Sequence, residues 1–535
     1  MRVFVCLAIA LSFATFSSAQ VSVLTWHNDN ARTGQNLREN ILTPSNVNVN
    51  AFRKLFVIPV DGKVDGQPLY VPSLDMPGQG THNVLYIVTE HDSIYAFDAD
   101  NGAMLWHNSL LNAGESTSDD RSCSQVTPEI GITSTPVIDP RIGPHGIIYT
   151  VSMGKDSSRN YHQRLHALDL TTGEEQLGGP VEVQATYPGN GAANTNGTMT
   201  FDGKQYKERA GLLIANGIVY TSWASHCDIN PYTGWVIGYD EATLERVTVM
   251  NLTPNGNEAS IWAAGAGPAA DVSGTLFLLT ANGTFDTTLD SGGFPSHGDY
   301  GNAFVKLTPS GTNLKVTDYF TMSNTVSESA ADEDLGSGGL ILLPPLPDAQ
   351  GNPRELAVGA GKDGNIYVVD RNNMGRFRKD GNSIYQELES ALGSVFSTPA
   401  WFNGKLYYAS VGAQLVEFKF MNGSFMPGSQ SPANFPYPGA TPSISANRDS
   451  GAIVWVAENS DPAVLHAYDA NDVSRELYNS NQAPNGRDHF GTGNKYIVPT
   501  VVNGKVYVGT TNGVGVFGLA NPTSKPSEPP PPRHR

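Results

Sequence analysis

Eight times along this 535-residue chain a short apolar run is followed by a second that closes on a carboxylate or amide turn. The closing runs lie at 94–98, 165–169, 236–240, 304–307, 366–370, 415–418, 465–469 and 514–517, and those ending at Asp98, Asp169, Asp240, Asp370 and Asp469 share an aspartate stop. Runs this short, bounded by Asn-Gly, Thr-Gly or Ser-Gly, read as antiparallel strands. Their repetition reads as stacked or radial units. Before most pairs lies a strand of small residues and proline, as at 133–138, 396–400, 441–444 and 497–501, and after many comes a fourth, as at 104–106. Four antiparallel strands per unit make a propeller blade. Small residues suit an innermost strand, where blades converge on an axis. The bulky Tyr86, Tyr149, Tyr220, Phe277, Tyr407, Trp455 and Tyr507 suit the middle strands, which pack blade against blade.

The pattern therefore predicts an all-β fold, an eight-bladed β-propeller of four-stranded antiparallel blades closed by an N-terminal strand. The run at 54–58 is spare and the last blade lacks an outer strand, so the two chain ends should share that blade; an open edge would invite aggregation. A seven-bladed ring with one degenerate hairpin is the alternative. The organisation follows: 1–19 a signal peptide, 20–50 an N-terminal extension, 51–519 the propeller, and 520–535 a proline-rich tail that offers few backbone donors and should be disordered. Arg2, the apolar run 3–16 and Ser17-Ser18-Ala19 give the leader its character. Cys6 lies within that apolar run. No stretch is long and apolar enough to span a bilayer, so the mature chain is expected to be secreted, periplasmic or extracellular, and monomeric.

Charge narrows the partners. Removing 1–19 takes away Arg2 and no acid, which leaves 32 basic against 51 acidic residues, a formal charge of −19 from −18. Phosphate backbones would be repelled, which argues against nucleic acid. Cys123 and Cys227 remain after processing, and an even count in an oxidising compartment favours a disulfide. The long insertions at 108–130, 152–163, 181–208, 222–234, 283–300, 321–335 and 475–495 all fall where propeller loops open on one face. Function usually sits in such loops, which makes that face the expected binding face.

The repeat resembles that of the pyrroloquinoline quinone (PQQ) propellers, a family that includes quinoprotein alcohol dehydrogenases and cofactor-free relatives. The stretch 360–371, Ala-Gly-Lys-Asp-Gly-Asn-Ile-Tyr-Val-Val-Asp-Arg, is similar to the dehydrogenase segment whose Lys or Arg reaches the quinone, here Lys362. The stretch 275–283 resembles the strand ending in their calcium-binding asparagine, here Asn282, and 332–334 before 336–339 resembles the acidic stretch with their catalytic aspartate, here Asp334 or Asp332. The resemblance thus implies PQQ and Ca2+ as cofactors, Asn282 and Asp334 as metal ligands, Asp334 or Asp332 as base, Lys362 on the quinone oxygens, and an alcohol or sugar as substrate. Oxygen ligands suit Ca2+, and a base is needed to take the alcohol proton.

Three positions depart from the family's pattern. There is no Cys-Cys pair to stack on the cofactor; the stacking tryptophan falls on Ala264, with Trp262 the nearest candidate; and 154–157, Gly-Lys-Asp-Ser, lacks the second-blade glutamate. Plain readings stand beside each candidate. The sequence 282–284 is also a turn and a glycosylation sequon, Lys362 could be a surface lysine, 332–334 a solvated acidic loop, and 98–102 a blade turn rather than a calcium loop. His91, His226 and His489 read as polar rim. Gly-x-Ser-x-Gly, Walker and dinucleotide fingerprints are absent. Two functions remain: a secreted quinoprotein dehydrogenase, or a non-catalytic propeller binding glycan or protein through its long-loop face.

Overall fold

The computed structural model describes residues 21–311 and 313–520. The expected signal peptide and all but the first residue of the proline-rich tail lie outside them. Eight antiparallel sheets surround an axis in chain order, beginning with Leu69–Met76, Gly80–Val88, Ser93–Asp98 and Met104–Ser109. The eighth blade carries Thr500–Val502, Lys505–Gly509 and Gly513–Leu519, and its outer strand is the N-terminal Phe52–Pro59, registered from Phe52 opposite Leu519 to Pro59 opposite Gly513. The ring closes as the sequence predicts, with eight blades.

The middle-strand aromatics are buried between blades, and several also tie one blade to the next. Tyr86 Oη donates to the Leu170 carbonyl at 2.8 Å, Tyr149 to Glu241 at 2.5 Å, Tyr407 to Ala470 at 2.6 Å and Tyr507 to Ala99 at 3.1 Å. Each acceptor lies in the turn after the following blade's Asp-ended strand. One side chain thus buries an apolar ring and satisfies a turn carbonyl. The last of these contacts joins blade eight to blade one.

Two sequence expectations need correction. The inner strands are shorter than predicted: Val137–Asp139, Ala400–Phe402 and Thr500–Val502 form only after the Thr/Ser-Pro segments. Those segments approach the axis as irregular backbone, where hydroxyls do the bonding: Thr135 Oγ1 accepts from Gln67 N at 2.8 Å and Thr500 Oγ1 donates to the Pro68 carbonyl at 2.7 Å. The insertion expected at 152–163 is instead a hairpin, Ile147–Lys155 with Tyr161–Asp169, turning at Asp156, whose carboxylate accepts from the Ser158 and Asn160 amides.

The N-terminal extension is part of the fold. Between Val23 and Asn36 it crosses the axis and bonds every blade in turn. Val23 pairs with Tyr70; the Leu24 carbonyl accepts from Ile138 N; Asn30 donates to Ile214 O and accepts from Ala270 N. Ala31 accepts from Leu342 N, Thr33 from Trp401 N and Gly34 from Ile444 N, and Asn36 donates to Val501 O. At its centre Arg32 is fully buried, with Nε on the Pro268 carbonyl, Nη1 on Trp26 O and Thr25 Oγ1, and Nη2 on Leu212 O. His27, whose pKa burial lowers to about 4, lies with Nδ1 2.6 Å from Arg32 O and Nε2 2.8 Å from Pro442 O, and the neutral ring donates to one of the two. Gly34 is required twice over: its φ is +71°, and a Cβ there would lie 2.2 Å from His27 Nε2.

Because Arg32 supplies the donors for three buried carbonyls, Arg32→Met should destabilise the protein by about 3–5 kcal/mol. Urea-unfolding midpoints check this; a loss under about 1 kcal/mol would show that these bonds do not hold the ring.

Candidate functional site

The segments that reach the opposite end of the axis build a funnel there. On the fifth blade, Ser337 lies at the funnel and Leu342, five residues on, bonds the N-terminal segment; on the sixth, Phe396 and Trp401 do the same. The funnel is therefore separated from the N-terminal segment by the length of the inner strands and opens on the long-loop face. Its lining is Gln125, Arg209, Asp228, Trp262, Asp334, Ser337, Lys362, Phe396, Tyr437 and Tyr496.

The sequence-predicted residues converge here. Asn282, past the strand Leu276–Leu279 of blade four, donates its backbone N–H to Asp334 Oδ1 at 2.7 Å and its amide to Asp332 Oδ1 at 3.2 Å. Lys362, in the turn between Leu356–Ala360 and Ile366–Asp370 of blade five, places Nζ 2.6 Å from Asp334 Oδ2 and 2.8 Å from Asp332 Oδ1. Its backbone N–H also donates to the Asp334 carbonyl at 2.9 Å. Burial raises the Asp334 pKa, against the pull of Lys362. Burial alone would lower Lys362, but Asp334 and Asp332 outweigh it and its pKa is raised. Nζ also sits 5.9 Å over the Phe396 ring.

Trp262 also lines the funnel, just before the turn Ala263–Gly265; it packs with Ala281 and is 7% exposed. Its ring is covered from within the protein: the Arg209 guanidinium lies 5.2 Å from the Trp262 centroid and 4.0 Å from that of Tyr496. Behind Arg209 sits Lys207, 1% exposed, with Nζ 5.9 Å from the Trp262 ring and no hydrogen-bond partner among the described residues. Burial, then Arg209, pushes its pKa down to about 7.

Cys123 and Cys227 form a disulfide, tying the connection after blade one to a loop of blade three. Gln125 and Asp228, beside them, line the funnel. His226 departs from the polar rim expected of it: it is fully buried, bonded through Nε2 to the Asp120 carbonyl, and burial lowers its pKa to about 4. The Asp98 turn behaves as the plain reading has it, the carboxylate accepting from the Asp100 and Asn101 amides.

Sequence reasoning missed Arg209, Lys207, Phe396, Tyr437 and Tyr496. A signal was present: Lys207-Glu208-Arg209 is a charge triplet in a chain with only 16% charged residues, and strand alternation puts both cations on one face. Glu208 turns the other way, accepting from Ser222 N.

No protein-family model matches the chain, and no curated protein matches it. Among solved structures it is similar to the quinohemoprotein alcohol dehydrogenase of Pseudomonas putida HK5, at TM-score 0.60 and 15% identity over 96% of this chain and 82% of that one. It is similar also to the quinohemoprotein alcohol dehydrogenase of Comamonas testosteroni, at 0.59 and 14% over 96% and 83%, and to a europium-containing methanol dehydrogenase, at 0.60 and 13% over 93% and 98%. At these identities the likeness establishes the propeller architecture. Among the described residues no helix is long and apolar enough to cross a membrane.

The residues fit the implied cofactors only in part. Asn282, Asp332 and Asp334 offer oxygens suited to Ca2+, but Lys362 already pairs with both carboxylates. The stretch 154–157 contributes no carboxylate to them: Lys155 pairs with Asp119 and Asp156 caps its own turn. No group of three or more His, Cys, Asp or Glu among the described residues is arranged to hold a metal. A tricyclic quinone does not fit the funnel as built. Arg209 covers the Trp262 face on which a flat ring would stack.

Lys207 makes a pH prediction. Its folded pKa, about 7, lies below its unfolded value of 10.5, so its contribution to stability is fully present above 10.5 and is lost as pH falls toward 7. Lys207→Met should therefore gain stability over the parent as pH is lowered from 10.5 to 7, with a constant difference below. Unfolding midpoints across that range check it; a pH-independent difference would contradict it.

Proposed function

We propose that the protein is an exported propeller that binds a small polar organic molecule in the funnel of its long-loop face, without PQQ as a resident cofactor. One observation carries this reading: Arg209 lies between Trp262 and Tyr496, on the surface that a flat cofactor would need. What remains of the funnel suits a compact ligand with hydrogen-bonding groups. Phe396, Tyr437 and Tyr496 offer ring faces, and Gln125, Asp228, Ser337, Asp334 and Lys362 offer donors and acceptors. The Cys123–Cys227 disulfide supports an oxidising compartment. A bound glycan or small solute, rather than nucleic acid, agrees with the formal charge of −18.

A second reading, a quinoprotein dehydrogenase that oxidises an alcohol or sugar, is favoured by the meeting of Asn282, Asp332, Asp334 and Lys362 at one point. It requires Arg209 to leave the Trp262 face and Lys362 to release a carboxylate.

Addition of PQQ and Ca2+ to the purified mature protein separates the two. The expected result is no quinone absorbance retained through desalting and no dye reduction across an alcohol and sugar panel. Retained absorbance together with dye reduction would overturn the proposal.

A further inference from the structure

Around the funnel floor the charges do not balance. Lys63, Lys207, Arg209 and Lys495 meet there, and the acids that face Lys207 are Asp65 and Glu90. Asp65 pairs with Lys63 at 3.4 Å. Glu90 is fully buried, and its carboxyl accepts from Gly131 N at 2.8 Å and Thr133 Oγ1 at 3.0 Å. Burial and Asp65 raise the Glu90 pKa well above the carboxylate range, which favours its neutral form. Arg209 and Lys495 are thus left without a paired carboxylate, beside Lys207, which burial and Arg209 push toward its neutral form. Arg209 is 4% exposed; its Nη1 makes a long bond to Gln125 Oε1 at 3.3 Å, and its buried Nε meets no hydrogen-bond partner among the described residues. Lys207 Nζ is in the same state. Lys495 Nζ reaches only the Ser124 and Gln125 carbonyls, both at 3.4 Å.

Gathering like charges in a buried site costs free energy unless an anion joins them, and this site collects them in a strongly acidic protein. We propose that the funnel floor is a binding site for the carboxylate of a small organic acid, with Arg209 in the lining as the primary donor and Lys207, buried behind it, and Lys495 as supporting charges. The inference rests on the ligand-binding reading above and names the class of ligand. A carboxylate pairs well with a guanidinium that has a free Nε. A cavity of about 50 Å³ admits such a head group, since one water needs about 10–15 Å³ on this measure. The aromatic walls call for a carbon skeleton behind that head group, which selects a sugar acid over a bare phosphate. Its hydroxyls would face Asp334, Ser337 and Lys362 at the mouth.

The proposal has a linkage signature. The groups facing Lys207 are Arg209, two residues on, His226 from blade three, Glu90 and Asp65 from blade one and the connection before it, and Lys495 from the connection before blade eight. An anion among them strengthens the hold of Lys207 on its proton, so binding at pH 8 should take up a proton.

The test is calorimetric titration of the mature wild-type protein at pH 8 with glucuronate, with glucose as the uncharged analogue, in two buffers of different ionisation enthalpy. Binding of glucuronate with proton uptake, at least tenfold tighter than glucose, is expected. Arg209→Gln and Lys207→Met should each weaken it at least tenfold while the folded-state circular dichroism is unchanged. No binding of glucuronate, equal binding of glucose, or phosphate binding as tightly as glucuronate would each overturn the assignment. The wild-type proton count decides the matter if either variant fails to fold: binding without uptake overturns it. Failure here with PQQ also unbound rejects only the acid class. PQQ bound through Arg209 would reject the ligand-binding reading as well.

Discussion

The structure depends on fourteen residues, Val23 to Asn36, that hydrogen-bond the inner strand of each of the eight blades in succession. A propeller's blades contact mainly their neighbours, so a ring can in principle open at any interface. A single segment bonded to all eight removes that freedom, because no blade can leave without breaking a bond to the hub. Arg32 is the residue around which the hub forms. Its guanidinium faces carbonyls rather than a bidentate carboxylate, so its orientation is set by the backbone of blades three and four and of Trp26. Close approach there excludes side chains. A Cβ on Gly267 would lie 2.0 Å from the Gly211 carbonyl and 2.7 Å from Arg32 Nη2.

Function follows from where the hub sits. It crosses one end of the axis, with Arg32, Trp26 and His27 all buried there, and the long loops stand at the other. The rigid floor comes from the inner strands and the specific groups from connections between blades, which can vary in length without disturbing the sheets. The funnel has two chemically distinct sides: the ion triad of Asp332, Asp334 and Lys362, which is internally neutralised apart from one negative charge, and the cationic side of Lys207, Arg209 and Lys495. Between them lie the rings of Trp262, Tyr437, Tyr496 and Phe396. The propeller architecture is shared with the quinohemoprotein and methanol dehydrogenases to which the chain is similar.

Strand periodicity and the Asp-Gly turn grammar made the blades legible, because each blade repeats a local rule within about 60 residues. The closing strand was legible too, since an unpaired edge is a liability that the sequence must resolve somewhere. Asn282, Asp334 and Lys362 were found through resemblance, and their convergence follows from their shared position at the axial ends of successive blades. Three features were not legible. The hub at 23–36 has almost no secondary structure, and its bonds go to eight distant strands. His226 carries no sequence mark of burial. Arg209 owes its role to Trp262 and Tyr496, far from it in the chain, and only the Lys207-Glu208-Arg209 triplet hinted at it.

The central claim is that the N-terminal segment is structural and seals the axis. Native-state hydrogen exchange followed by mass spectrometry on peptides covering 23–36 tests it most directly. The account predicts protection comparable to that of the inner strands at Val23, His27, Arg32, Thr33 and Gly34, whose backbone amides donate to Tyr70 O, Gln67 Oε1, Asp29 O, Asp29 Oδ1 and His27 O. Exchange of that peptide within seconds, as for an exposed loop, while the inner strands stay protected, would contradict it.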